Sequence, residues 1–386
     1  MFFAKIYIGT SGWDYDDWVG PFYSSEKGMF TQYARIFNTT EINSTFYTLP
    51  SERFLKNLAS YAPPGFKFSL KMYKGITHKK LLNPKTVREE LELFLKAVRP
   101  MKELGKLGAI LIQMPPKSRE EIPWFEDFLK LLPSEYRFAV EFRDQSWLSD
   151  DVIETLLKYR TAYTIVDEPL LPPVIYVTAD FAYIRWHGKG ERPWYYYHYS
   201  IEELKEWVPK INDLSLKVQT IYGYFNNHFR GFAPHNALQM LSLLGMSNKR
   251  QKELLKRMDE YFKRGEAEQV TLKASLKLKA GGDIVSVLGV LAGQRRLKRG
   301  LDIPDSEVNI DVKNRKIEGQ VKKYKVVIDL ENRTLYHDCE DWKKISESKR
   351  ICKHLVKFFL SLPEDLARKI LWDIVDNIDE WEFRHP

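Results

Sequence analysis

A set of acids, histidines and cations spaced along the first 240 residues has the chemical types needed for catalysis. Glu41, Glu141 and Asp167 could act as a general base or bind a metal, and His78, His187 and His228 could do either. Lys71, Arg143 and Arg185 are suited to holding phosphate or carboxylate, arginine through its planar fork. Cations beside carboxylates would serve a phosphodiester, neutralising its charge next to a base. A lysine stripped of water in the same place could instead attack an aldehyde, as in Schiff-base lyases. The competing interpretation is a set of structural salt bridges. Glu141 and Arg143 are the pair most open to it, because residues two apart on a strand share a face. On this basis Glu41, Lys71, Glu141, Asp167, His187 and His228 are expected to do the chemistry. Ser11, Trp13, Asn43, Tyr47, His78, Gln113, Arg143, Arg185, Asn226 and Asn227 are expected to line the substrate. No H-x-H or H-x-x-x-H spacing occurs, so a multi-zinc cluster is not expected in this region; one divalent ion (Mg or Mn), or none, is.

A second constellation lies near the C-terminus. The two cysteines of the chain each have a histidine two residues away, as His337-Asp338-Cys339 and Cys352-Lys353-His354. Imidazole and thiolate are both competent zinc ligands, so four such donors could make a closed tetrahedral site with a structural role. The alternative is a Cys339–Cys352 disulfide or two unrelated buried thiols.

These residues need elements to hold them. Eight strand-like runs occupy the first 240 residues: 5–10, 39–43, 67–71, 107–114, 137–142, 161–166, 181–186 and 217–225. Stretches with helical spacing, such as 87–104 and 202–211, lie between them. Alternating strands and helices imply parallel pairing, and eight strands imply closure into a (β/α)8 barrel, an α/β fold. The polar residues above fall at the ends of these runs, where such a barrel collects its chemistry. An aromatic run, Trp194-Tyr195-Tyr196-Tyr197-His198-Tyr199, follows the seventh strand and could stack on bases or pack on the barrel shoulder. After the eighth strand, Ser247 is read as the cap of a helix running to about Phe262, with Gly265 as its stop. Short apolar runs and Gly281-Gly282 follow. Strand-like alternation then covers 307–336, clearest at 324–329, with a turn at Asn332-Arg333. Two helices close the chain, one carrying Leu355, Phe358, Phe359 and Leu362, the other Leu366, Ile370, Ile374 and Ile378.

Several of these motifs are familiar in combination. Ile8-Gly9-Thr10-Ser11-Gly12-Trp13, Glu41-Ile42-Asn43-Ser44-Thr45-Phe46-Tyr47, Ile76-Thr77-His78, Glu141-Phe142-Arg143 with Ser146-Trp147, Arg185-Trp186-His187-Gly188 and Tyr224-Phe225-Asn226-Asn227-His228 resemble the YecE-like family (domain of unknown function 72) over residues 5–243. The resemblance implies a TIM-barrel fold. The family has no settled activity; its barrel is similar to those of endonuclease IV-like proteins, from which DNA binding has been suggested. Residues 320–360 resemble a SWIM-type zinc finger, with His337 standing where the usual C-x-C…C-x-H pattern has its first cysteine. That resemblance implies a module for binding DNA or protein.

Charge placement bears on the partner. The net charge is +8. Residues 1–240 hold 30 Lys+Arg against 28 Asp+Glu, while residues 249–299 hold 14 against 6. Such a local excess attracts polyanions, nucleic acid first, and Lys249, Arg250, Arg295, Arg296, Lys298 and Arg299 are its expected contacts. No apolar run is long enough to span a membrane, and the N-terminus lacks the charged region of a signal peptide, so a cytoplasmic location is expected. The chain is therefore read as a barrel (1–243) followed by a basic α+β zinc-binding domain (244–386). The expected function is an enzyme acting on damaged or single-stranded DNA, by phosphodiester cleavage or abasic-site chemistry. A DNA-binding protein without catalysis, and a barrel enzyme for a small phosphorylated or carboxylated metabolite, are the rivals.

Overall fold

The structure, a computed structural model, describes residues 4–190, 195–278, 283–313, 315–346, 349–378 and 380–385. Trp194 and Gly281-Gly282 lie outside the described residues. The chain divides into two compact units, Met1–Phe262 and Lys263–Pro386.

In the first unit, eight strands close a parallel barrel: β1 (Lys5–Ser11), β2 (Thr39–Ile42), β3 (Lys67–Lys71), β4 (Leu107–Gln113), β5 (Phe138–Glu141), β6 (Ala162–Asp167), β7 (Phe181–Trp186) and β8 (Thr220–Phe225). Every expected strand is present. Closure is made by β1 on β8, from Lys5 opposite Thr220 to Thr10 opposite Phe225. A parallel barrel wrapped in helices buries both strand faces, which is why β5 to β8 are apolar almost throughout. The inside is filled by Tyr7, Ala109, Leu111, Ala139, Ala162, Phe181, Tyr183, Tyr222 and Tyr224. Tyr224 Oη there lies 2.8 Å from both Thr39 Oγ1 and Ser69 Oγ. Residues of the other parity face the helices, as Thr10 does in bonding Tyr33 Oη. This parity decides which side chains reach the rim.

The helix that follows Phe232–Leu243 differs from expectation. It runs over Lys249–Leu278, straight through Gly265. One glycine costs a helix only about 1 kcal/mol relative to alanine, too little to stop a run with helix formers on both sides. Its start is capped by Asn248, not Ser247: Asn248 Oδ1 accepts from Gln251 N at 3.0 Å, while Gln251 Oε1 accepts from Asn248 N at 2.9 Å. Met258 is buried in the barrel unit's core, with Leu254, Leu255 and Phe262 packed against it.

The second unit has a five-stranded sheet in the order β13-β12-β11-β10-β9. The strands are β9 (Val308–Lys313), β10 (Lys316–Val321), β11 (Tyr324–Asp329), β12 (Thr334–His337) and β13 (Glu382–Arg384). The first four form an antiparallel meander, and β13 joins β12 in parallel. The turn at Asn332-Arg333 is held by Asp329, which accepts from Asn332 N at 2.9 Å. Helices Ile284–Ala292, Gln294–Leu301, Lys353–Leu360 and Glu364–Asp376 share a core with the sheet. Gly300 permits the crossing of two of them, because a Cβ there would lie 2.6 Å from Val356 Cγ1. No described helix is long and apolar enough to cross a membrane.

Candidate active site and metal centre

Inward parity delivers one or more polar side chains from most strands to the C-terminal rim. Thr164 pairs in register with Tyr183 and Val166 with Arg185, so Tyr183 and Arg185 share the inner face with Ala162. Arg185 is the hub. Its Nη1 donates to Glu141 Oε2 and its Nη2 to Glu41 Oε1, both at 2.7 Å. Tyr183 Oη donates to the second oxygen of Glu41 at 2.7 Å. Glu141 Oε1 receives Gln113 Nε2 at 2.6 Å and Arg143 Nη2 at 2.7 Å. Arg143 continues the chain by donating to Glu168 Oε2 at 2.5 Å. Asn226 Nδ2 lies 3.0 Å from His187 Nδ1, and His187 Nε2 lies 3.4 Å from Glu141 Oε1 and 3.3 Å from Arg185 Nη1.

Burial makes these charges consequential. Glu41 and Glu141 are fully buried and Arg185 nearly so. Burial alone would raise the Glu141 pKa, but Arg185, then Arg143 and His187, hold it well below the usual carboxylate range. Glu168 goes the other way: burial raises it to about 7 against the opposing pull of Arg143, with Glu141 adding to the rise. Burial takes His187 down to about 3, so its imidazole is neutral.

Lys71 stands apart. Among the described residues its ammonium has no carboxylate within ion-pair distance and no hydrogen-bond partner. It sits 4.0 Å from the centroid of the Phe46 ring. Burial, followed by the neighbouring Arg185, pulls its pKa down to about 8, even though Glu141 and Glu41 oppose the shift. His78 packs edge-on against the same Phe46 ring at 4.9 Å and is lowered to about 4, by burial and then by Lys71 and Arg143. Ser11 Oγ, Asn43 Oδ1 and Glu168 Oε1 are buried without a hydrogen-bond partner among the described residues, so each has bonding capacity to spare.

Other expected site residues are elsewhere. Asp167 has the wrong parity: it pairs in register with Trp186, faces the helix layer, and accepts from Trp207 Nε1 at 3.1 Å. It is therefore corrected to a shoulder residue, and Glu168, one position on, takes the rim position assigned to it. Asn227 also turns outward, its amide donating to Tyr197 O and Asn236 Oδ1 at 2.8 Å. His228 lies among Tyr15, Tyr195 and Phe229, where burial lowers it to about 4. Trp13 packs on Phe30, and Tyr47 is exposed beside Phe46. Glu168 and Tyr183 are the members that sequence reasoning missed. Their place is set by parity with Ala162 and Arg185, which the structure shows and the sequence does not.

The basic residues divide as well. Arg296 is occupied by Asp341, at 3.0 and 3.2 Å. Arg295, Lys298 and Arg299 are exposed on their short helix, with Leu297 and Gly300 turned inward. Lys249 and Arg250 are exposed at the start of the long helix.

The C-terminal constellation assembles. The donor atoms of His337, Cys339, Cys352 and His354 all lie within 4.8 Å of one another, and all four residues are buried. The two sulfurs are 3.6 Å apart and the cysteines are free, so no disulfide joins them. His337 Nδ1 lies 2.7 Å from Lys325 O and donates to it, which leaves Nε2 as a bare acceptor. That Nε2 is buried without a hydrogen-bond partner among the described residues. A ring fixed by its second nitrogen, with the other lone pair aimed at two thiols, is the arrangement a metal ligand requires. Cys339 and Cys352 each precede the first turn of a helix, Glu340–Ile345 and Lys353–Leu360, where the positive helix end favours thiolate. The four donors can hold one metal ion. Among the described residues this is the only such group of three or more.

A family model described as "Protein of unknown function DUF72" matches residues 7–260. The chain belongs to the DUF72 family. The DUF72 region is similar to the UPF0759 protein YunF of Bacillus subtilis, 28% identical over 266 residues that cover 62% of this chain and 94% of YunF. It is 30% identical to the UPF0759 protein YecE of Escherichia coli K12 over 139 residues, 36% of this chain and 48% of YecE. Among solved structures, the DUF72 protein TM1631 of Thermotoga maritima aligns with TM-score 0.57 and 33% identity, covering 62% of this chain and 99% of that one. The DUF72 protein EF0366 of Enterococcus faecalis shares the fold at TM-score 0.56 and 22% identity, over 63% and 97% of the two chains. These relatives match the DUF72 barrel.

Proposed function

We propose that the barrel is an enzyme acting on the carbonyl group of an anionic substrate through the Lys71 amine, and that the C-terminal Cys2His2 site holds zinc in a structural role. The observation that carries the enzymatic reading is Lys71 itself. It is the rim cation without a carboxylate partner among the described residues, and its pKa of about 8 leaves a useful share of free amine near neutrality. The unprotonated Nζ attacks the carbonyl carbon. The C–N bond forms as the C–O π bond breaks, and one of the two amine hydrogens passes to the oxygen. The carbonyl oxygen then leaves as water with the two hydrogens of the amine, giving an imine that weakens bonds at the adjacent carbon. Glu168, with its pKa near 7, supplies an acid able to exchange protons at working pH. Arg143, partly exposed, and the unpartnered Ser11 hydroxyl offer donors for the substrate's anionic end. Zinc follows from the donor set: two thiols and two imidazoles suit zinc better than magnesium or calcium, and four protein ligands close the shell.

The nucleic-acid form of this reading takes the aldehyde of an abasic site in DNA as substrate. Its support is the exposed trio Arg295, Lys298 and Arg299, which share one helix face. Sodium borohydride reduction tests both forms, because it fixes an imine as a permanent secondary amine. The protein would be incubated separately with labelled abasic-site DNA and with a small phosphorylated aldehyde. Trapping in the wild type that is absent in Lys71→Gln supports the lysine chemistry, and the substrate trapped decides between polymer and metabolite. No trapping with either substrate would remove the reading.

A further inference from the structure

We infer that the opposite end of the barrel, at the N-terminal ends of the strands, carries a second site, one that binds a small multivalent phosphate anion. A cavity of about 400 Å³ opens there. Lys5 begins β1 and Lys67 begins β3, while Arg137 stands one residue before β5; with Lys102 they line the cavity. The volume lies within the range of ordinary small-ligand pockets, about 300–1,000 Å³.

The charges do not balance. Two acids face the cluster. Glu135 reaches Lys102 at 4.0 Å, and Asp180 reaches Arg137 at 3.2 Å. Among the described residues, Lys5 and Lys67 have no carboxylate within ion-pair distance. Lys67 Nζ donates to Gly105 O at 2.6 Å, which leaves the other ammonium hydrogens to spare. Lys106 stands nearby, its Nζ donating to Ala62 O at 3.1 Å. Crowding of like charges is felt by Lys67, whose pKa is lowered by burial and then by Lys5, Arg137 and Lys106. Such a cluster is destabilising by itself and becomes favourable when an anion bridges it.

The floor is suited to a compact ligand. Tyr7 and Tyr222 stack with centroids 5.4 Å apart and close the barrel from below. Arg137 Nη1 reaches Thr220 Oγ1 at 3.3 Å and Tyr222 Oη at 3.5 Å, so the guanidinium is aimed by the barrel wall. Lysines with donors to spare around one oriented arginine suit a phosphate with several charged oxygens. The site stands at the end of the strands remote from Lys71, and the inference does not depend on the chemistry proposed for the rim.

Inorganic pyrophosphate is the probe, with phosphate as the weaker comparison and sodium chloride at matched ionic strength as the control. Thermal melting and calorimetric titration would be run on the whole chain. Wild type is expected to show a saturable rise in Tm and one binding event. Lys5→Gln, a change at an exposed residue that leaves the fold intact, is expected to bind about tenfold more weakly, equivalent to roughly one lost ion contact. The Lys5→Gln/Lys67→Gln double variant should lose the response while melting no lower than wild type without ligand, because repulsion has been relieved. Lys71→Gln at the rim should respond as wild type does. A wild-type response no larger than that to chloride, or an undiminished response in the double variant, would overturn the inference.

Discussion

The guanidinium of Arg185 donates to the Glu141 carboxylate at 2.7 Å with both side chains withdrawn from water. Glu41 occupies the other arm of the same guanidinium. One cation is therefore shared by two buried anions. Removing it leaves Glu41 and Glu141 buried with less compensation, and breaking such a pair from one side costs about 3–5 kcal/mol. Arg185→Met, which keeps much of the volume, should lower unfolding stability by that order in denaturant titration. A loss under about 1 kcal/mol would mean that water enters the rim and screens the acids.

The hub also shows what sequence can and cannot tell. All eight strands are legible, because each is a compact apolar run bounded by turns and helical spacing. Parity within them is not. When both faces of a strand are buried, polar alternation disappears and nothing in Thr161–Val166 says which residues face the axis. Sequence therefore favours Asp167 over Glu168, and Tyr183 passes as core. The Cys2His2 group is legible because ligand spacing is local, two residues within each pair. The helix over Ile284–Ala292 is not, since a continuous apolar run lacks the period that separates helix from strand. Residue types can mark Lys71 as a candidate nucleophile, but its distinction is the missing carboxylate partner, a property of three-dimensional neighbours.

If Lys71 reacts as a free amine, pH must control the rate in one direction. Its folded-state pKa is about 8, below the ordinary lysine value, and the reactive form is the deprotonated one. Below pH 8 each unit of acidity should slow imine formation about tenfold, with the rate levelling above it. Rapid-quench borohydride trapping across pH 6 to 9.5 reads this limb directly. A rate that stays flat through pH 8, or one that keeps rising about tenfold per unit up to pH 9.5, would mean that an amine of lowered pKa at Lys71 is not the nucleophile.

The Cys2His2 group leads to a metal prediction that does not involve catalysis. The purified protein should carry one zinc per chain by elemental analysis, and Cys339→Ser or His337→Ala should lower that content sharply. Because the four ligands join β12 to the starts of two helices, a strong chelator should lower the melting temperature of the second unit. The barrel unit has its own core and should melt unchanged. A single transition unaffected by chelator, together with no bound metal, would sink the assignment.

A third array, with His235 buried at its centre, predicts acid sensitivity. His198 Nε2 lies 2.7 Å from His235 Nδ1, and His235 Nε2 lies 2.7 Å from Asp259 Oδ1. Asp259 belongs to the long helix, so the chain of bonds ties that helix to the barrel within one compact unit. The bond between the imidazoles needs one nitrogen to donate and the other to accept, and protonating both rings removes the acceptor. Burial lowers His198 to about 3, with His235 and then Arg230 adding to the shift. Burial also lowers His235, against the opposing effect of Asp259. Both folded-state values are below the unfolded reference of 6.5. The unfolded chain therefore binds more protons below pH 6.5, and stability present above that value is lost as pH falls toward 3. His198→Phe keeps the ring contacts with Phe232 and Phe262 but cannot take up the proton. Its stability should decline less steeply than that of the wild type between pH 6.5 and 4 in denaturant titrations. Parallel curves for the two proteins over that range would show that other groups dominate the acid response.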